Sequence, residues 1–215
     1  CLFWSRDFSG IEAILVGYFA KASRYMRLAQ LDIHSFFTAY ALYELEKALP
    51  FDALPQESWP DEMLAGALAQ IKREWSERRA TNKPLVHGGN YMMGAMEAQN
   101  VILVDQGHIV PLAKIKRLQG FYRELFPELS QWHARVTGLL PPLVPTEQDS
   151  VHQRGWLRTP FGNVHRYYDV LRWDKHRRTW FYSSDARRAI AFLPQSTARF
   201  VLTHAVQRLV PQVQN

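Results

Sequence analysis

Apolar residues recur at helical spacing along most of this chain, and the pattern of short alternating runs is confined to its later part. Leu2 to Trp4 is a short apolar run that predicts a buried strand, with Ser9-Gly10 as a turn after it. Ile11 to Lys21 predicts a helix with an apolar stripe of Ile11, Leu15, Tyr18 and Phe19. Arg24 to Gln30 is a second short helical piece, and Asp32 is the N-cap expected for a helix from Ile33 to about Leu49. Pro50 to Pro60 reads as a loop. A helix is expected from Asp61 to Ala80, acidic at its start and basic near its end, as the helix dipole favours. Further helices are predicted over Glu97 to Val104, Pro111 to Phe126 and Pro127 to Leu140, followed by a loop from Pro141 to Asp149. Gly155 to Arg166 predicts a hairpin turning at Phe161-Gly162-Asn163, and Tyr168 to Ser184 a second one. Ala186 to Gln212 is expected to be helical, interrupted at Pro194. No internal repeat stands out.

The chain has 215 residues, enough for a sizeable core in one or two domains. Its apolar fraction is ordinary for a globular protein. Lys and Arg number 26 against 20 Asp and Glu, a net charge of +6, which suits a polyanionic partner without requiring one. A single Cys excludes an internal disulfide framework and a cysteine zinc site, and fits a reducing compartment. No run of about 18 uncharged apolar residues predicts a membrane span.

Two clusters carry candidate chemistry. The first is Asp7-Phe8-Ser9-Gly10-Ile11-Glu12, followed by Asp32-Ile33-His34. The second places Arg79, Lys83, His87 and Tyr91 four residues apart, on one face of a helix. Carboxylates that hold Mg2+, cations that hold phosphates and a flat side chain that stacks on a base are the parts that polyphosphate chemistry needs. Each residue also has an ordinary reading. Asp7 suits a turn, Glu12 a helix start, and Asp32 a cap; Arg79 and Lys83 suit a solvated basic face, and Tyr91 a core position. Pro84, directly after Lys83, costs roughly 3 kcal/mol inside a helix, and Gly88 and Gly89 weaken it further. Either the helix kinks there, or it begins at Pro84 with Arg79 and Lys83 on a preceding one.

These blocks resemble the polymerase domain of family A DNA polymerases. The first is similar to motif A, whose pattern is Asp-Tyr-Ser-Gln-Ile-Glu, together with the Asp-Ile-His that follows it. The second is similar to motif B of the fingers helix. Gly155-Trp156-Leu157-Arg158-Thr159-Pro160-Phe161-Gly162 resembles the family's Gly-Tyr-x-x-Thr-x-Phe-Gly hairpin. Pro194-Gln195-Ser196-Thr197-Ala198 resembles Pro-x-Gln-Gly-Thr-Ala, one residue shorter. The four blocks stand in family order across most of the chain. The family's motif C, His-Asp-Glu, does not occur, and the chain reads as an internal piece of a longer polymerase whose remainder is its expected partner.

The resemblance implies an α/β, mainly helical fold: a partial palm and fingers with an incomplete palm sheet. The expected parts are 1–50 (palm, motif A, and the start of the fingers), 51–135 (fingers, motif B) and 136–215 (palm returning). It implies primer-template DNA and deoxynucleoside triphosphates as partners, two Mg2+ ions in the intact enzyme, and the cytoplasm of a bacterium or phage-infected host. Asp7 would be the catalytic metal ligand. Lys83 would be catalytic and, with Arg79, would clamp the triphosphate, to which His34 would donate. Glu12 would exclude a ribose 2′-hydroxyl, His87 would stack on the incoming base, and Tyr91 would stand where the templating base enters. Arg158, Thr159, Asn163 and Gln195 would contact DNA. The run Lys175 to Arg178, framed by Trp173, Trp180, Phe181 and Tyr182, lies outside the four blocks and reads either as a nucleic-acid contact or as a solvated loop. A single-subunit RNA polymerase-like enzyme and a non-catalytic DNA-binding remnant are the alternatives.

Overall fold

The computed structural model describes residues 10–46, 54–140, 155–167, 170–176 and 178–213. Among them the chain is mainly helical, with two small antiparallel sheets of two strands each. Contacts divide it after Pro127 into two units. The expected strand at Leu2 to Trp4, and Asp7 with it, lies outside the described residues.

The first unit begins with α1 (Ile11–Ala20) and α2 (Ser23–Leu31). Lys21 turns the chain between them in a left-handed conformation. The two helices approach closely at Gly17, where a Cβ would stand 2.5 Å from Met26 Cγ. The buried face of α1 is Val16, Gly17 and Ala20, while Tyr18 is exposed. This differs from the predicted stripe because the partner helix docks onto the glycine rather than onto the larger side chains. α3 (Ile33–Glu46) starts at Asp32 as expected: its carboxylate accepts the backbone N–H of His34 at 3.1 Å and of Ser35 at 3.2 Å.

The single helix expected from Asp61 to Ala80 is two. α4 (Asp61–Glu74) stops at Trp75, and α5 (Ser76–Asn90) starts from the same residue. No glycine or proline marks this break in the sequence. The alternatives at Pro84 are resolved in favour of one continuous helix, so Arg79, Lys83 and His87 all belong to α5, and Tyr91 is its C-terminal cap residue. Pro84 has no N–H to donate to the carbonyl four residues back. The helix persists because it packs against α1, α3 and α4, and against α6 (Ala95–Gln106) and α7 (Leu112–Leu125). Each fully buried aliphatic side chain, such as Leu85 or Val86, contributes about 1.5–3 kcal/mol, so a few of them offset the proline.

Gly88 and Gly89 have a packing role. A Cβ on Gly89 would lie 2.4 Å from the Tyr122 ring, so glycine there lets α7 sit against α5. That contact completes a buried polar cluster in which the Tyr25 and Tyr122 hydroxyls each donate to Asn90 Oδ1 at 2.7 Å. Burial pushes the Tyr25 phenol up to about 12. Around the cluster, Phe37, Tyr25, Tyr122 and Phe126 meet edge to face, an arrangement that fixes their relative orientation.

The second unit contains α8 (Pro127–Gly138), a hairpin of β1 (Gly155–Arg158) and β2 (Val164–Tyr167), a hairpin of β3 (Leu171–Asp174) and β4 (Thr179–Tyr182), and α9 (Ser184–Val213). α9 contacts β1, β2 and β4. It runs unbroken through Pro194, where an interruption was expected. Pro194 and Thr197 are buried, and the packed face holds the helix together despite the missing N–H. Among the described residues no helix is long and apolar enough to cross a membrane.

Candidate functional site

One side of α5 packs against other helices. On another side Arg79, Lys83 and His87 face a groove of about 720 Å³. Lys72 from α4 joins these cations, and Met93, Val101 and Asp105 line the other side. The sequence reading missed Lys72, although Lys72, Ser76, Arg79, Lys83 and His87 follow one another at three- and four-residue steps. The expected continuous helix would have shown this stripe; the break at Trp75 does not destroy it.

Asp32 organises the base of the site. Beyond capping α3, it accepts hydrogen bonds from Ser35 Oγ at 2.7 Å and from both Arg79 Nη2, at 3.0 Å, and Nε, at 3.2 Å. Burial opposes ionisation of this carboxyl, but the Arg79 and Ser35 hydrogen bonds and the Arg79 charge outweigh it and hold it below the usual carboxylate range. Arg79 is therefore oriented by a carboxylate. Lys83 is exposed and has no ion pair among the described residues, which leaves its charge available to a ligand.

His34 projects from the first turn of α3 into the same neighbourhood. Burial pushes its imidazole down to about 4; Asp32 partly counters this, while Arg79, Lys83 and His87 add to it. It is therefore neutral at ordinary pH. Its Nδ1 is buried and, among the described residues, has no hydrogen-bond partner. An unmet buried polar group costs about 1–3 kcal/mol, so its persistence calls for an explanation.

At the other end of the row, His87 Nδ1 lies 3.9 Å from Glu12 Oε2, an ion pair whenever the imidazole carries a second proton. The His87 and Tyr91 rings meet edge to face with centroids 5.3 Å apart. The Tyr91 hydroxyl is buried and, among the described residues, also unpartnered; burial, then Glu12, raises its pKa, so it stays protonated. Glu12, His34, Arg79, Lys83, His87 and Tyr91 thus come from three distant segments to one place.

Magnesium is not accounted for by these side chains. Among the described residues no group of three His, Cys, Asp or Glu is placed to hold a metal ion, and Asp32 is committed to Arg79 and Ser35. Asp7, the expected ligand, lies outside the described residues.

In the second unit, the third and fourth blocks are neighbours. Thr159 is buried and organises the hairpin turn: its Oγ1 accepts the Asn163 N–H at 3.1 Å, and its N–H donates to the Asn163 carbonyl at 2.8 Å. Gly162 supplies the left-handed conformation that the turn needs, at φ 87°. Asn163 Nδ2 donates to Ser196 Oγ at 3.2 Å, and Phe161 stacks on Phe200 with centroids 3.9 Å apart. Arg158 is exposed, its guanidinium 5.6 Å from the Trp156 ring centroid, and Gln195 is exposed on α9. Of the four residues expected to contact DNA, Arg158 and Gln195 present their side chains to solvent, whereas Thr159 is spent on the turn.

Comparison with protein-family models, with curated proteins and with solved structures finds no match to this chain.

Proposed function

We propose that the chain is part of a template-directed DNA polymerase of the family A type, which adds deoxynucleotides to a primer 3′-end with release of pyrophosphate. The observation that carries this reading is that Arg79, Lys83 and His87 line one cationic groove, with Glu12 and Tyr91 beside His87 and His34 close by. Lys83 is, among the described residues, an exposed cation without an ion pair that could take a triphosphate, and Arg79, held by Asp32, is preorganised beside it. The unpartnered His34 Nδ1 fits a side chain that completes its hydrogen bonding only when nucleotide binding rearranges the site. His87 and Tyr91 offer flat rings at the groove's end, next to Glu12, where the sugar and base would lie. Asp7 and Mg2+ belong to the proposal through the resemblance alone.

The test is primer extension by the full-length protein with deoxynucleoside or ribonucleoside triphosphates. Extension with the deoxy forms, abolished by Asp7→Ala, reduced roughly 100-fold by Lys83→Ala and relaxed toward ribonucleotides by Glu12→Ala, supports the reading. Equal use of ribonucleotides by the unaltered protein would instead assign it to RNA synthesis. No extension with DNA binding intact would leave a DNA-binding remnant and sink the catalytic claim.

A further inference from the structure

The hairpin of β3 and β4 lies outside the four blocks and is built unlike an ordinary surface loop. The register pairs Leu171 with Tyr182 and Trp173 with Trp180 across one face. The indole rings sit 5.5 Å apart and tilted by 62°, so one does not cover the flat side of the other. Trp173, Trp180 and Tyr182 are 43, 41 and 47% exposed, a large aromatic outlay on a hairpin that needs little of it for folding. At the tip, Lys175 and Arg178 are exposed, and His176 is turned by its N–H to Asp174 Oδ1 at 2.9 Å. Open rings beside a cationic tip match a single strand of nucleic acid, whose bases stack and whose phosphates need countercharge. A duplex buries its base faces and would use only the cations. A protein partner has no comparable need for the lysine and arginine at the tip.

We propose that this hairpin is a stacking platform for single-stranded nucleic acid, with Trp173 and Trp180 receiving bases and Lys175 and Arg178 holding the adjacent phosphates. The proposal extends the polymerase reading, in which such a strand would be unpaired template, but it is tested independently of nucleotide addition.

Binding of a fluorescently labelled oligo(dT) to the full chain is measured by anisotropy over a salt series. Trp180→Ala should weaken it about 5- to 150-fold, the loss of one stacked base. Lys175→Ala with Arg178→Ala should reduce the slope of log affinity against log salt by about 1.4, for two lost contacts to a single strand. The tip variant removes only exposed side chains, so it reports on binding even where Trp180→Ala disturbs the hairpin. Unchanged affinity and slope in the tip variant overturns the platform, as does an equal loss for blunt duplex DNA. Loss of self-association in sedimentation, with oligo(dT) affinity untouched, would make this face a protein contact and also overturn it. Primer extension in parallel separates the two claims: hairpin-dependent oligo(dT) binding without extension refutes the polymerase reading alone, and extension with hairpin-independent binding refutes the platform alone.

Discussion

Replacing Asp32 with alanine removes two supports at once, and the structure allows them to be separated. The first is the cap on α3, worth about 1 kcal/mol. The second is the pair with Arg79, whose side chains are 20 and 15% exposed on the arginine and aspartate sides. Breaking a fully buried pair costs about 3–5 kcal/mol and an exposed one at most about 1, so this intermediate case is set at about 2 kcal/mol. Asp32→Ala should therefore cost about 3 kcal/mol. Asp32→Asn keeps a good cap and loses the charge, and should cost about 2 kcal/mol. Because the chain has two units, a single melting curve would mix them. Amide hydrogen exchange in α3 and α5 reports the first unit directly. At 1.4 kcal/mol per tenfold, protection should fall about 100-fold for Ala and about 30-fold for Asn. Combining Asp32→Ala with Arg79→Ala should cost less than the sum of the single changes, because no buried charge is then left alone. The sign with pH also follows. Asp32's folded pKa is depressed, so its stabilisation is present above about pH 4, the unfolded value, and is lost as pH falls through the lower folded one. The reasoning fails if both single variants stay within about 0.5 kcal/mol of the parent, or if the double variant is additive.

Other parts of the first unit make separate predictions. His34 is held neutral down to about pH 4 while the unfolded chain takes up its proton near 6.5, so stability should fall by about 2–3 kcal/mol as pH drops through that window. His34→Gln should flatten this slope in pH-dependent exchange measurements. Gly89→Ala gains up to about 1 kcal/mol of helix propensity but drives a methyl into the Tyr122 ring, for a net loss of about 1–2 kcal/mol, read as lower amide protection in α5 and α7. Tyr122→Phe removes one of the two tyrosine hydroxyls that donate to Asn90 Oδ1 and should cost about 1–2 kcal/mol by amide exchange in α5 and α7.

Much of the local structure was legible because local forces decide it. The cap at Asp32, the turn at Gly162 and the helical spacing of α7 depend on a few neighbouring residues, and each appears where the sequence placed it. The row Arg79, Lys83 and His87 was equally legible as one face, since helix geometry alone puts those positions together, whereas Tyr91 caps the helix, is buried and does not line the groove. The misses share a cause. The local cost of proline predicts a kink or a helix start at Pro84 and an interruption at Pro194, but both sit in helices whose packed faces outweigh it. Trp75 interrupts a pattern that is locally helical on both sides, and no residue there signals it.

By itself, the sequence determined the type of the described helices and hairpins and the limits of most of them, the positive charge, and which residue types could serve a polyphosphate. Those follow from side-chain chemistry and from periodicity along the chain. Only the tertiary structure decided that Asp32 is spent on Arg79 while Lys83 stays open, that Glu12 lies against His87, and that Gly89 is a contact point for Tyr122. Pairing between residues dozens of positions apart is set by how helices pack, and no local pattern encodes which partner a charge will find.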